Sequence, residues 1–121
     1  MDYIPLPSVL FTYPQYAMVG MTEQALKDTG VEYVKSTGKN LGWPTYRRIG
    51  MRSAAYKILA EPRGRILGAH MISDNATGII NTIRMAMLHR VQVTELYYQS
   101  VTAPYPSRES DLTYMLKPLT E

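Results

Sequence analysis

Cysteine is absent from the 121 residues. That excludes a disulfide framework, a thiolate metal site, a CxxC redox pair and a cysteine nucleophile within this chain. Any redox chemistry it takes part in must draw its thiol from another segment or another chain. Histidine is scarce: His70 and His89 are the only two, and neither has a partner at metal-ligand spacing. His70 falls on an expected strand and His89 at the end of an expected helix, so both are expected to be structural or solvated. Phenylalanine and tryptophan occur once each against 10 tyrosines. Tyrosine suits surfaces that are buried at one end and wet at the other, so this imbalance points to an interface. Long apolar runs are missing too. Nothing approaches the roughly 20 residues of a membrane span, and the opening MDYIPLPSVLFTYPQ has no basic leader and is broken by prolines. The expectation is a soluble, cytoplasmic protein with no membrane partner. Excess charge of one sign is slight, 13 basic residues against 10 acidic ones for a net +3, which by itself signals no polyanionic partner.

The chemical motifs that remain are sparse. Gly38, Gly42 and Gly50 are too widely spaced for a phosphate-cradling loop, which disfavours nucleotide binding by this chain alone. Glu109 and Asp111 flank Ser110 beside Arg108, but two residues apart on a helix they do not face each other, so a paired-carboxylate site is not expected. Arg47, Arg48 and Arg52 near Trp43 and Tyr46 form a basic-aromatic patch of the kind that stacks a base and touches phosphate. It is also ordinary surface composition, and nucleic acid remains an unfavoured partner. Met85 and Met87 read as adaptable core or contact surface.

What the chain does have is a clear order of elements. Residues 8–12 and 17–19 read as short strands. Residues 22–29 read as a helix, with Thr22 as its N-cap and Gly30 as its stop. Residues 31–37 alternate as a strand, and 38–44 carry turn chemistry. Residues 53–60 and 65–72 form a hairpin around Glu61-Pro62-Arg63-Gly64, whose second-position proline and fourth-position glycine match a type I turn. Asp74-Asn75 is placed to cap a helix over 76–89, with Ile79, Ile80, Ile83, Ala86 and Met87 on one face and Asn81, Arg84 and Arg90 off it. A short helix from Thr94 and another over 107–116 follow, with Pro118 expected to end the fold. Length permits one domain over residues 1–121 with a single core. The expected class is α+β, a mostly antiparallel sheet with helices packed on one face.

One segment stands apart from this background, Val101-Thr102-Ala103-Pro104-Tyr105-Pro106-Ser107. Two prolines flanking a tyrosine make a stiff excursion that fixes a side chain at little entropic cost. Together with Ser8-Val9-Leu10-Phe11-Thr12-Tyr13-Pro14, Ala17-Met18-Val19-Gly20-Met21-Thr22-Glu23, Arg65-Ile66-Leu67-Gly68-Ala69-His70 and Thr94-Glu95-Leu96, it resembles the C-terminal dimerisation domain of the FAD-dependent pyridine nucleotide-disulfide oxidoreductases. That group contains glutathione reductase, dihydrolipoamide dehydrogenase and mercuric reductase.

The resemblance implies a homodimerisation module that follows FAD- and NAD(P)-binding domains, pairs with its copy across a two-fold axis and completes the partner subunit's active site. FAD and NAD(P)H are then cofactors of the parent enzyme, and this chain alone binds neither and is not catalytic. In the family a loop histidine serves as acid/base toward a redox thiol, with a glutamate neighbour orienting it. Here Tyr105 stands at the histidine position and Ser110 at the glutamate position, while Tyr105 and Pro106 fall where the family approaches the partner's flavin. An extended registration of the loop puts Ala103 at the histidine position instead. Tyr13-Pro14 stands where relatives often carry His-Pro. The implied contact with a second copy is expected on the sheet face that the helices leave open. Two other readings stay open from the residues: a stand-alone binder of a nucleotide or small ligand, and a basic nucleic-acid module.

Overall fold

Every strand pairing among the described residues is antiparallel. The computed structural model describes residues 7–10, 15–39, 54–62, 64–73, 76–101 and 112–120. Strands β1 (Ser8–Leu10), β2 (Gln15–Gly20), β3 (Val34–Gly38), β4 (Ala55–Ala60) and β5 (Ile66–Ser73) form one sheet in the order β1-β2-β5-β4-β3. Around them stand helices α1 (Glu23–Thr29), α2 (Ala76–Leu88), α3 (Val93–Val101) and α4 (Leu112–Leu116), then a 3₁₀ turn at Lys117–Leu119. The α+β class and the antiparallel sheet are as the sequence predicts.

The hairpin β4–β5 forms as its turn chemistry dictates. The Gly64 N–H donates to the Glu61 carbonyl at 3.0 Å and the Glu61 N–H to the Arg65 carbonyl at 2.9 Å. The same turn is tied to α3, whose Val93 N–H donates to the Gly64 carbonyl at 2.9 Å. Thr22 caps α1 by accepting from the Ala25 N–H at 3.1 Å. Gly30, at φ 73°, closes that helix with its N–H directed at the Leu26 and Lys27 carbonyls, a left-handed position where a side chain would be strained.

Alternation along the strands sorts the two sheet faces. Ala17, Val19, Ile58, Ala60, Ala69 and Met71 are buried together on one face. Onto that face α2 lays Ala76, Ile79, Ile80, Ile83 and Ala86, spaced at three and four residues, and α2 packs chiefly on β2 and β5. Each isoleucine removed from water there is worth about 1.5–3 kcal/mol. Val93 and Leu96 of α3, then Leu112, Met115, Leu116 and Leu119, complete the same core.

Several boundaries differ from the sequence reading, each for a local reason. Residues 31–33 are not strand, because the chain there is leaving the α1 cap, with Val31 N–H on the Leu26 carbonyl at 3.2 Å. Thr94 lies inside α3 rather than capping it, since the helix already begins at Val93. Pro118 does not end the fold; it is the second residue of the 3₁₀ turn that carries Leu119 into the core at 3% exposure. Asp74, Asn75 and residues 107–111 lie outside the described residues. At the start of α2, Gln15 of β2 accepts from the Thr77 N–H at 3.4 Å and the Thr77 hydroxyl at 3.0 Å.

One helix sits on the other side of the sheet. Lys35 and Lys57 point opposite to Ser36 and Ile58, away from the main core, and both bond Glu23 of α1. Leu26 and Leu59, fully buried yet outside the main core cluster, fill the space there. The rest of this face, with Tyr16, Met18, His70, Ile72 and Ala55, is only half-buried.

Candidate functional site

The proline-rich segment lies between α3 and α4, and the structure shows how the residues on either side of it are held. Ser100, near the end of α3 and 6% exposed, donates to the Tyr97 carbonyl at 2.7 Å and shares a 3.2 Å hydrogen bond with the Thr113 hydroxyl in α4. Thr113 follows Leu112 at 2% exposure and precedes by two residues Met115 at 0%, so the start of α4 is anchored in the core. Tyr105, Pro106 and Ser110 themselves lie outside the described residues, as do Ala103, Tyr13, Pro14 and the arginines Arg47, Arg48 and Arg52.

The open side of the sheet carries the charged groups. Glu23, 16% exposed, receives the Tyr33 hydroxyl at 2.7 Å, Lys57 Nζ at 3.1 Å and Lys35 Nζ at 3.2 Å. Those three donors, Tyr33 foremost, bring its carboxyl down to about 2. The same bond pushes the Tyr33 phenol up, because losing the proton would place two anions side by side. His70 is half-buried on β5, opposite Lys57 on β4 and Met18 on β2. Its Nε2 lies 3.4 Å from the Met21 carbonyl oxygen. Burial pushes its imidazole below the ordinary value, the Met21 contact works against that, and the nearby Lys57 charge adds to it. His70 is therefore biased toward the neutral form. His89 is exposed at the end of α2. Among the described residues no cluster of three or more His, Cys, Asp or Glu is placed to hold a metal ion, and no helix is long and apolar enough to cross a membrane.

The outer side of the helix layer exposes several large apolar side chains among polar ones such as Asn81, Glu95 and Gln99. Met85 at 47% exposure and Leu88 at 45% stand on α2, Tyr98 at 71% on α3 and Tyr114 at 39% on α4. Tyr97 and Tyr98 meet edge to face with ring centres 5.6 Å apart. Met87, by contrast, packs against the core. The spacing of Met85 and Leu88 relative to Ile79, Ile80 and Ile83 places them off the core face of a helix, so this part of the outer surface was available to sequence reasoning. The meeting of Glu23 with Lys35 and Lys57 was not, since it depends on the β3–β4 register.

The family model of the pyridine nucleotide-disulphide oxidoreductase dimerisation domain matches residues 6–115. The chain belongs to this family. Among relatives of this dimerisation domain, an uncharacterized 19.7 kDa protein in a mercuric resistance operon of Staphylococcus aureus is 37% identical over 95% of this chain and 63% of its own length. The leghemoglobin reductase of Glycine max is 36% identical over 71% of the chain but only 17% of its own length. The chain thus spans less than two thirds of the curated relatives that it matches. Among solved structures, the HOCl-induced flavoprotein disulfide reductase RclA from Escherichia coli superposes with a TM-score of 0.86, covering 94% of this chain and 26% of that one at 23% identity. LpdA from Mycobacterium tuberculosis gives 0.85 over 96% of this chain and 25% of its own, also at 23% identity. Those two likenesses bear on the fold, and they agree with the five-stranded antiparallel dimerisation-domain sheet described above.

Proposed function

We propose that this chain acts as the pairing domain of a flavin-dependent NAD(P)H oxidoreductase, joining two copies across a two-fold axis through its helix layer. The observation that carries the reading is the exposure of four large apolar side chains on that layer, Met85, Leu88, Tyr98 and Tyr114, in a chain of the dimerisation-domain family. These exposures favour the helices as the meeting surface. The open sheet face expected from the sequence is in part covered by α1 and otherwise carries lysines and a histidine. Methionine and tyrosine are enriched where protein surfaces meet, and a two-fold contact doubles the effect of every residue in it.

On this reading FAD and NAD(P)H bind domains other than this one, and the segment between α3 and α4 is presented to the partner's flavin side. Tyr105 then takes the place of the usual histidine. A tyrosine with a pKa of about 10 donates a hydrogen bond at neutral pH and is a poor base, so Tyr105 is suited to steady a developing anion, and Ser107 offers a second hydroxyl beside it. Family membership sets the small-ligand and nucleic-acid readings behind this one as the main function.

Light scattering of the chain at about 100 µM should return twice the 13.7 kDa of one chain. Leu88→Glu should return a single chain, because the symmetric contact would bury the introduced charge twice. A monomeric wild type at that concentration, or a Leu88→Glu dimer as tight as wild type, would overturn pairing through the helix layer.

A further inference from the structure

A shallow cavity of about 250 Å³ lies on the open sheet face, lined by Tyr16, Ala55, Lys57, His70 and Ile72 with Thr37 and Lys39 at its β3 side. The strand register explains its shape. Ile72 stands opposite both Tyr16 on β2 and Ala55 on β4, and His70 stands opposite Lys57, which in turn faces Thr37. Ala55 is therefore a missing tooth in a row of larger side chains. Above its methyl group a flat space opens between Tyr16 and Ile72 on one side and Thr37 and Lys39 on the other, closed at one end by His70 and Lys57.

The charge around this space is one-sided. Among the described residues no acidic side chain lines it. Lys57 reaches Glu23, but Glu23 also serves Lys35 and the Tyr33 hydroxyl, so a single carboxylate is shared by two ammonium groups and one positive charge is left over. Lys39 adds another. An apolar, flat floor with surplus cation along its rim fits a planar apolar molecule that carries a carboxylate at one edge. The volume lies just under the range of about 300–1,000 Å³ typical of drug-sized sites, which restricts the occupant to one or two rings.

We infer that this cavity binds small aromatic carboxylates, the ring lying on Ala55 and Ile72 against Tyr16 and the carboxylate turned toward Lys57, His70 and Lys39. The site is separate from the helix layer that carries the proposed pairing surface, so dimerisation leaves it accessible. A carboxylate placed there accepts charge-assisted hydrogen bonds from the lysine ammonium groups, while the ring covers apolar surface that is otherwise wet.

The test uses the whole 121-residue chain, with 2-naphthoate as the probe and 2-naphthalenemethanol as its uncharged counterpart. Titration followed by calorimetry and by backbone amide and histidine-ring NMR should show saturable binding of one naphthoate per chain. The shifts should be confined to the open face around Ala55, His70 and Ile72, and the alcohol should bind roughly tenfold more weakly, as expected when one charge-assisted contact is lost. Ala55→Phe should fill the gap and abolish binding, and Lys39→Gln, which leaves the Glu23 cluster intact, should weaken it severalfold with the fold unchanged by circular dichroism. Absence of saturable shifts up to roughly 5 mM, a range that would capture even millimolar affinity, would overturn the inference. So would shifts centred on α2 and α3, alcohol binding equal to naphthoate, or a folded Ala55→Phe chain that binds as wild type does.

Discussion

Replacing Gly68 by alanine puts a methyl group where the backbone of Met21 already lies. A Cβ at Gly68 would overlap the Met21 carbonyl oxygen and sit 2.9 Å from the Met21 nitrogen and 3.0 Å from its carbonyl carbon. These are main-chain atoms and cannot rotate aside, so the segment leading from β2 into α1 would have to lift off β5. The lift stretches the bond from the Met21 N–H to the Leu67 carbonyl, now 3.0 Å, worth about 0.5–1.5 kcal/mol. Overpacking adds about 1–3 kcal/mol, and the smaller unfolded-state entropy of alanine returns about 0.4–1 kcal/mol. The net expectation is a loss of about 0.5–4 kcal/mol, seen as a fall in melting temperature of roughly 2–16 °C for a domain of this size. Urea denaturation followed by far-ultraviolet circular dichroism would measure it, at one fixed protein concentration because the proposed pairing would add to apparent stability. Gly30→Ala is the control. Nothing lies within 4 Å of a Cβ there and only the positive φ of 73° opposes it, so its cost should be conformational alone, about 1 kcal/mol. A Gly68→Ala chain within about 0.5 kcal/mol of wild type, inside the ordinary range for a surface change, would refute the close-approach reasoning.

Other substitutions test other parts of the structure. Glu23 has its carboxyl lowered from 4.5 to about 2 by Tyr33, Lys57 and Lys35; a lowered folded-state value contributes stability that is whole above the ordinary carboxylate value and is lost as pH falls toward 2. The gap in urea midpoint between wild type and Glu23→Gln should therefore be constant near neutrality, shrink below about pH 4.5 and close near pH 2; a gap that ignores pH would sink the assignment. Arg90 sits at φ 57° just after α2, with its N–H on the Met87 carbonyl at 3.2 Å and the Val91 N–H on the Ala86 carbonyl at 2.9 Å, a left-handed cap usually filled by glycine. Arg90→Gly should raise stability by up to about 1 kcal/mol, less whatever the arginine side chain contributes, and a clear loss would show that the side chain outweighs the strain. In a protein that joins this domain to FAD and NAD(P) domains, Tyr105→Phe should slow turnover without changing dimer mass; unchanged rates with every acceptor tested would reduce Tyr105 to loop packing.

What the sequence revealed about the fold follows from how local each signal was. The turn at residues 61–64, the Thr22 and Gly30 caps of α1 and the apolar stripe of α2 depend on neighbours within a few positions, and the structure places them where the residues predict. Effects that need two distant segments were hidden. Nothing in the alternation of residues 31–37 announces that Glu23 will meet Lys35 and Lys57, because that contact requires both the β3–β4 register and the crossing of α1 to the other sheet face. Arg90 gave no signal as a helix stop, since its left-handed conformation is imposed by the return of the chain to Val93 and the hairpin turn, against the preference of the residue. The family was legible because its motifs recur in order along the chain. Tyr105 and Ser110 could be read only as departures from those motifs, and both lie outside the described residues.

The Ser100–Thr113 bond has a consequence for how such a domain can change over generations. Both feet of the connecting segment are fastened, one by that hydroxyl pair and the other by the core around Leu112 and Met115. For a segment whose ends are already held, even a doubling of length costs only about 0.6 kcal/mol in closure entropy. The length of that segment is then only weakly constrained by closure. An insertion between the two feet is therefore expected to leave that hydroxyl pair and the core beneath it in place. The domain is a fixed mount whose connecting segment can vary in length at small closure cost.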